Sequence, residues 1–154
     1  MTSTLIFRRS NGSKTDAYRR ADQFGSINGQ TSIYMIVDDS RLLLDCLKLT
    51  AEAFLNCEVA GFTSPKEAWQ AFRRNPKSYR GIVTDFHMPQ MTGWNLIQRF
   101  RPAFPELPVI LMSGEMRLAE VPVEYNPFTR YVRKPFEWQD VISQLDELES
   151  QRRD

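Results

Sequence analysis

Four apolar segments of the chain are each followed at once by polar side chains that could take part in chemistry. These polar groups are two adjacent carboxylates, a third carboxylate, a hydroxyl and an ammonium, at Asp38, Asp39, Asp85, Ser113 and Lys134. Apolar segments of this length are typical of buried strands, and in a parallel sheet the ligand crevice lies beyond the carboxyl ends of the strands. The pattern therefore predicts that the five side chains converge at one edge of a sheet.

Three carboxylates at one edge would repel one another and, without relief, would take up protons. A divalent cation gives that relief, and a site with only oxygen ligands and few protein groups suits Mg²⁺. A carboxylate beside Mg²⁺ and an ammonium is a good nucleophile toward a phosphoryl group. The cation, Lys134 and a hydroxyl donor can then neutralise the phosphoryl oxygens. The residue types therefore indicate phosphoryl transfer.

Strand and helix patterns alternate from Ile33 onward. The predicted strands are Ile33–Val37, Val59–Phe62, Gly81–Thr84, Val109–Met112 and Tyr131–Arg133. Helices are expected after Ser40, which can act as a cap, and after Ser64, where a proline and a glutamate complete a helix start. Two more are expected around Trp94–Phe100 and from Trp138 to the end of the domain. The alternation predicts an α/β fold with one doubly wound five-stranded parallel sheet, (βα)5.

The fourth helical unit is the weak one. Residues 117–121 could form about one turn, but Pro122 and Pro127 prevent a long helix. We therefore expect a shortened or irregular fourth helix.

Length and composition indicate a single domain with extensions. The chain has 154 residues and a formal net charge of +1, which gives no case for direct nucleic-acid binding. Residues 1–32 carry five basic against two acidic residues and are expected to be a disordered leader. The alternative is a short basic arm that touches a partner or folds back as a helix through Tyr18 and Phe24. The domain is expected over 33–149, with a short tail at 150–154. No apolar stretch approaches a membrane span and no signal peptide precedes the domain, so we expect a cytoplasmic protein.

Over residues 33–149 the chain resembles the receiver domains of bacterial two-component response regulators, the CheY-like superfamily. The resemblance is carried by Asp38-Asp39, by the segment Asp85-Phe86-His87-Met88-Pro89, by Ser113 and by Lys134-Pro135-Phe136. These segments occur in the family's order and approximate spacing. The resemblance implies the flavodoxin-like receiver fold.

The resemblance also implies roles for these residues. Asp85 would be the phosphoacceptor, taking a phosphoryl group from a phosphohistidine donor. Mg²⁺ would be held by Asp39 directly, by Asp38 through water, by Asp85 and by the backbone carbonyl of His87. Ser113 and Lys134 would stabilise the phosphoryl group.

A switch is implied as well. When Ser113 moves toward the phosphoryl group, Tyr131 would gain room to rotate inward. The Lys134-Pro135 peptide bond is expected to be cis. We further hypothesise that His87 and Glu115 flank the phosphoryl site and tune the lifetime of the acyl phosphate.

The implied function is a phosphorelay receiver. Its partners would be a sensor histidine kinase or a histidine phosphotransfer protein and an unknown downstream protein, and it would catalyse only its own phosphorylation and dephosphorylation. Because the sequence begins with methionine, we expect a stand-alone regulator rather than a receiver cut from a hybrid kinase.

Other functions compete with this one. The alternative is a pseudo-receiver scaffold that works by protein–protein contact without phosphorylation. A phosphatase of the haloacid dehalogenase type would need Asp-x-Asp after the first strand, which Asp38-Asp39-Ser40 does not provide. A nucleotide switch would need a Gly-rich phosphate loop, which the sequence lacks.

Overall fold

The computed structural model describes residues 5–7, 33–46, 58–114 and 126–153. They form a six-stranded sheet in which five strands are parallel. The strands are β1 (Leu5–Phe7), β2 (Ile33–Val37), β3 (Glu58–Phe62), β4 (Tyr79–Asp85), β5 (Val109–Ser113) and β6 (Thr129–Arg133), in the order β1-β3-β2-β4-β5-β6. Strands β2 to β6 pair in parallel, and β1 pairs antiparallel to β3. The predicted five-stranded parallel sheet is confirmed.

Helices connect the parallel strands. Residues 41–46 are helical and are called α1, followed by α2 (Pro65–Arg74), α3 (Gly93–Phe100) and α4 (Trp138–Arg153). Hydroxyl caps set three of the helix starts. The Oγ of Ser40 accepts from the Leu43 amide, that of Ser64 from the Glu67 amide, and Thr92 Oγ1 from the Asn95 amide. The caps predicted at Ser40 and Ser64 are confirmed.

The sheet is covered on both faces, and each face has its own apolar core. On one face, Leu44 of α1 and Val141, Leu145 and Leu148 of α4 pack against the sheet. On the other face, α2 and α3 pack with an aromatic-rich layer, in which the Phe72 and Phe100 ring centroids are 4.4 Å apart. Because both faces are buried, the strands need continuous apolar runs, and for this reason they could be predicted from the sequence.

The strand order places the reversal of the winding between β2 and β4. The chain passes from β2 to β3 on one side and then to β4 on the other side of β2. A crevice opens beyond the carboxyl ends of the strands at such a reversal. Asp38 directly follows β2, and Asp85 is the last residue of β4. The topology therefore brings these two carboxylates together.

Three expectations about the ends of the domain need correction or lie beyond the described residues. Within residues 1–32, which are expected to be a disordered leader, the structure describes Leu5–Phe7 as a strand paired with β3, and three residues are too few to show a period in the sequence. The predicted tail at 150–154 is helical through Arg153, since the apolar face of α4 continues as far as Leu148. The predicted irregular fourth helix, with Glu115, lies outside the described residues.

Candidate functional site

The four strands that were predicted to end in polar side chains place these side chains at one edge of the sheet. Lys134, one residue after β6, reaches back across that edge to two carboxylates. Its Nζ lies 2.9 Å from Asp38 Oδ2 and 3.5 Å from Asp85 Oδ1. The Lys134-Pro135 peptide is cis, as expected, and the Lys134 amide donates to the Ser113 carbonyl at 2.8 Å. One ammonium thus joins residues from β2 and β4 at the end of β6.

Three carboxylates form the acidic part of this site. One oxygen from each of Asp38, Asp39 and Asp85 lies within 4.8 Å of the others. Asp38 is fully buried and Asp85 nearly so, whereas Asp39 is exposed. The backbone amide of Ser40 donates to Asp38 Oδ1 at 2.8 Å, which fixes that side chain and leaves its other oxygen for Lys134.

The electrostatics of the site follow from this crowding. Burial, together with the charges of Asp38 and Asp39, raises the pKa of Asp85 above its ordinary value, although Lys134 opposes the shift. Burial lowers the pKa of Lys134, but the hydrogen bonds and charges of Asp38 and Asp85 outweigh it, so its net pKa is raised. The site therefore holds more negative charge than its single ammonium balances.

A divalent cation fits this donor set. Three carboxylates within reach of one point, in excess over the neighbouring positive charge, are the oxygen ligands that Mg²⁺ prefers. Asp38, Asp39 and Asp85 are the residues that would hold it. The His87 carbonyl remains a predicted ligand; the His87 side chain is exposed and its ring lies edge-on to Phe86 at 5.0 Å.

Ser113 contributes a buried hydroxyl to this edge of the sheet. It ends β5 and is 3% exposed. Among the residues that the structure describes, its Oγ is a buried side-chain oxygen that finds no hydrogen-bond partner. Buried hydroxyls are nearly always hydrogen-bonded, so an orphan at this edge marks a place for an oxygen-bearing ligand.

The loop after β4 makes a close backbone contact with Asp85. The Gly93 amide donates to the Phe86 carbonyl at 2.8 Å, and the Phe86 amide donates to the Met112 carbonyl at 2.7 Å. A Cβ on Gly93 would lie 2.1 Å from the Asp85 carbonyl oxygen. Only glycine allows the start of α3 to approach the Asp85 backbone this closely. Reading the sequence did not find this constraint, although a glycine after a proline-containing loop was a signal for it.

Tyr131 lies on β6, three residues before Lys134. Its side chain is half-buried and packs against the apolar core between the sheet and helices α2 and α3. Burial raises the pKa of Tyr131, while the positive charge of Arg101 opposes that rise. The predicted roles of Tyr131 and Ser113 in a switch, and of His87 and Glu115 in tuning, stay predictions.

A second group of charges, which the sequence reading missed, lies at the opposite end of the strands. The guanidinium of Arg80 pairs with the carboxylate of Glu149, and both side chains are buried. The Tyr34 hydroxyl donates to Glu149 at 3.3 Å and Arg153 approaches it at 3.3 Å. This network fastens α4 to the starts of β2 and β4, far from Asp85. A charged residue inside the apolar run of β4 was the available signal.

Comparison with known proteins decides the family. A family model described as the response regulator receiver domain matches residues 34–146. The chain belongs to this family.

The receiver domain also has similar relatives among curated proteins. It is 32% identical over 117 residues to the two-component response regulator ORR27 of rice, covering 70% of this chain and 18% of that protein. It is 30% identical over 135 residues to the probable transcriptional regulatory protein TcrX of Mycobacterium tuberculosis, covering 84% of this chain and 52% of the relative. The chain thus spans about half or less of the length of these relatives.

Solved structures agree with the fold of the receiver domain. A response regulator receiver domain protein from Clostridium thermocellum superposes with a TM-score of 0.71 at 23% identity, covering 79% of this chain and 97% of the other. The signal receiver domain of an HD domain-containing protein from Pseudomonas fluorescens gives a TM-score of 0.69 at 22% identity, with 81% of this chain and 100% of the other covered.

None of the helices that the structure describes combines the length and apolar composition required to span a bilayer.

Proposed function

We propose that this receiver domain accepts a phosphoryl group on Asp85 from a phosphohistidine donor and signals its phosphorylation state to a protein partner. The observation that carries the proposal is the convergence of Asp38, Asp39, Asp85, Lys134 and the unpartnered Ser113 hydroxyl on one edge of the sheet. A receiver that served only as a scaffold would have no structural need for all five groups.

The proposed reaction is a direct displacement. A carboxylate oxygen of Asp85 attacks the phosphorus, an O–P bond forms, and the P–N bond to the donor histidine breaks. The imidazole leaves with the electron pair of that bond. The raised pKa of Asp85 reflects an environment short of positive charge, and a phosphoryl group would add further negative charge there, which Lys134 and a bound cation would have to offset.

The neighbouring residues supply charge and orientation. Lys134 lies 3.5 Å from Asp85 and can follow the phosphoryl oxygens as negative charge develops on them. The buried Ser113 Oγ can donate to one of these oxygens and so acquire the partner it lacks. Bound Mg²⁺, held by Asp38, Asp39, Asp85 and the His87 carbonyl, would supply electrostatic stabilisation of the transferring group.

The partners follow from the chemistry. The donor would be a sensor histidine kinase or a histidine phosphotransfer protein, and a downstream protein would read the switched state of Ser113 and Tyr131. Apart from forming and losing its own acyl phosphate, the domain would have no enzymatic activity. The cytoplasmic location and the lack of direct nucleic-acid binding stay predictions.

Intact-mass measurement tests the proposal. The full chain is incubated with Mg²⁺ and acetyl phosphate, and we expect the mass of one phosphoryl group to be added. Asp85→Asn should abolish the addition. Asp45→Asn, which removes an exposed carboxylate from α1, is the matched control and should be labelled like the wild type.

Two results would overturn the proposal. One is absence of labelling under conditions that phosphorylate a control receiver, which would favour the pseudo-receiver scaffold. The other is equal labelling of wild type and Asp85→Asn, which would place the phosphoryl group on another residue.

Equal dephosphorylation rates of wild type and Glu115→Ala would remove Glu115 from the hypothesis that it tunes the lifetime of the acyl phosphate.

A further inference from the structure

A short strand near the N-terminus covers the outer edge of β3. In the sheet order β1-β3-β2, β1 lies at the end of the sheet. Its antiparallel register pairs Leu5 with Gly61, Ile6 with Ala60 and Phe7 with Val59. An edge strand presents a row of unpaired backbone amides and carbonyls. β1 therefore supplies backbone partners to the middle of a strand that would otherwise be such an edge.

On its inner side, β3 holds the backbone of Asp38. β3 pairs with β2 along the whole of that strand, and the Asp38 amide extends the pairing by donating to the Phe62 carbonyl at 3.0 Å. Phe62 directly follows Gly61, the last residue that β1 covers. The Asp38 carboxylate is in turn bound by the Ser40 amide and by Lys134. A shift of β3 would therefore move the Asp38 backbone and change the spacing of the acidic cluster.

The connection between β1 and β2 does not force β1 onto β3. Phe7 pairs with Val59, which pairs with Tyr34 of β2, so Phe7 and Tyr34 are two strand spacings apart, about 10 Å. Residues 8–32 join the two strands, and a chain of that length can reach up to about 80 Å when extended. Since the connection is much longer than the gap it closes, β1 is held in place by the pairing itself.

We propose that the outer edge of β3 is a docking site for an extended segment, that β1 of the same chain occupies it reversibly, and that its occupancy sets the position of Asp38. A strand added to a sheet edge gains its affinity from main-chain hydrogen bonds, so three paired residues on a long connection can leave and return. This inference rests on the proposed function, because it names a control of the same acidic site. Loss of β1 loosens the contact between Phe62 and Asp38 and weakens cation binding, and by reciprocity a bound cation strengthens the pairing of β1.

Hydrogen exchange measured by NMR on the full chain tests the support of Asp38. In Ile6→Pro/Phe7→Pro, one of the two replaced amides must face β3, because the amides of neighbouring strand residues point to opposite sides. We expect the Asp38 amide to exchange about fivefold faster than in the wild type, at the lower end of typical coupling between two sites. Ser10→Pro/Asn11→Pro places the same two prolines outside β1 and, as the matched control, should leave the Asp38 amide unchanged.

The amides of β5 report general stability, because β5 is separated from β3 by two strands. They should exchange at the same rate in the wild type and in both double variants. Unchanged exchange at Asp38, or equal acceleration at Asp38 and in β5, would overturn the proposal.

Calorimetric titration with Mg²⁺ measures the coupling to the acidic cluster. Ile6→Pro/Phe7→Pro should bind Mg²⁺ about fivefold more weakly than the wild type, whereas the control with prolines at positions 10 and 11 should bind it equally well. In the wild type, Mg²⁺ should slow the exchange of the amides shared by β1 and β3 by about the same factor. Equal Mg²⁺ affinity of the two double variants, or no slowing in the wild type, would contradict the coupling.

A peptide added in trans tests whether the edge is a docking site. A synthetic peptide of residues 1–10, added in excess to Ile6→Pro/Phe7→Pro, should restore slow exchange of the Asp38 amide. The same peptide with prolines at positions 6 and 7 has the same charge and should not restore it. Failure of the unmodified peptide would show that the edge of β3 does not accept a separate strand.

Two further arms keep the outcome interpretable. If the double proline variant does not fold, Ile6→Gly/Phe7→Gly keeps both amides but weakens the strand, and a smaller acceleration at Asp38 is expected. No acceleration there then overturns the proposal. If the wild type binds no Mg²⁺ and accepts no phosphoryl group, the proposed function fails, while exchange of the Asp38 amide still decides whether β1 supports Asp38.

Discussion

Replacing Gly93 by alanine should damage the domain more than the same change at two other glycines. The added Cβ would lie 2.1 Å from the Asp85 carbonyl oxygen, whereas contacts below 3.0 Å are essentially never seen. The start of α3 and the end of β4 would have to separate by about 0.9 Å to relieve the overlap. Since the clash is with backbone, no side-chain rotation can relieve it.

The cost can be estimated from the contacts that would change. Overpacking against rigid structure costs about 1–3 kcal/mol, and loss of the 2.8 Å hydrogen bond from the Gly93 amide to Phe86 adds about 1 kcal/mol. We therefore expect Gly93→Ala to lower the free energy of unfolding by roughly 3 kcal/mol. For a domain of this size that corresponds to a fall in Tm of roughly 6–12 °C.

The two controls differ in what their Cβ would meet. At Gly81 the nearest atoms are side-chain carbons of Leu145 and Tyr34 at 3.1 and 3.2 Å, which can move by a few tenths of an ångström. Gly81→Ala should therefore cost about 1 kcal/mol. At Gly114 the Cβ would meet nothing within 4 Å, so Gly114→Ala should lie within about 1 kcal/mol of the wild type, and on the stabilising side.

Urea unfolding followed by circular dichroism measures all three variants. We expect the free energy of unfolding to be highest for Gly114→Ala, lower for Gly81→Ala and lowest for Gly93→Ala. If Gly93→Ala unfolds within about 0.5 kcal/mol of the wild type, the size usual for a neutral surface change, the close approach of α3 to Asp85 does not exist.

Three further predictions concern charge and backbone strain. Because the folded pKa of Asp85 is raised, the contribution of this carboxyl to stability is complete below its ordinary pKa of 3.8 and is lost as pH rises through the folded pKa. Asp85→Asn should therefore be more stable than the wild type in urea at pH 7, with an advantage that shrinks toward pH 4. An advantage that stays constant with pH would contradict this prediction. Gln90 has a φ of 73°, so Gln90→Gly should stabilise by roughly 0.5–1 kcal/mol in thermal unfolding while Gln90→Ala changes little; equal effects of the two would exclude strain there. Glu149→Gln should cost about 2 kcal/mol because it removes the carboxylate charge to which the buried Arg80 guanidinium donates. Replacing both residues by methionine should recover most of that loss; a double variant as unstable as the single one would show that the ion pair itself stabilises the fold.

Local sequence patterns were sufficient to predict most of the strands and helix starts. The runs Ile33–Val37 and Val109–Met112 are apolar without interruption because their strands are covered on both faces, and this pattern distinguishes them from half-exposed strands. Ser64 and Pro65 are local signals whose physical effect is complete within one helical turn. The strand Leu5–Phe7 could not be predicted in this way, because its pairing with β3 depends on where the rest of the sheet lies.

The sequence by itself determined that Asp38, Asp39, Asp85, Ser113 and Lys134 share one edge, since strand ends in a parallel sheet must do so. Only the tertiary structure decided the contacts between them and around them. The 2.9 Å bond from Lys134 to Asp38 joins residues 96 positions apart, and Arg101 donates both to the Leu107 carbonyl before β5 and to Thr129 Oγ1 at the start of β6. Such contacts depend on distances of a few tenths of an ångström between separate elements. Residue types and spacings carry no information at that scale.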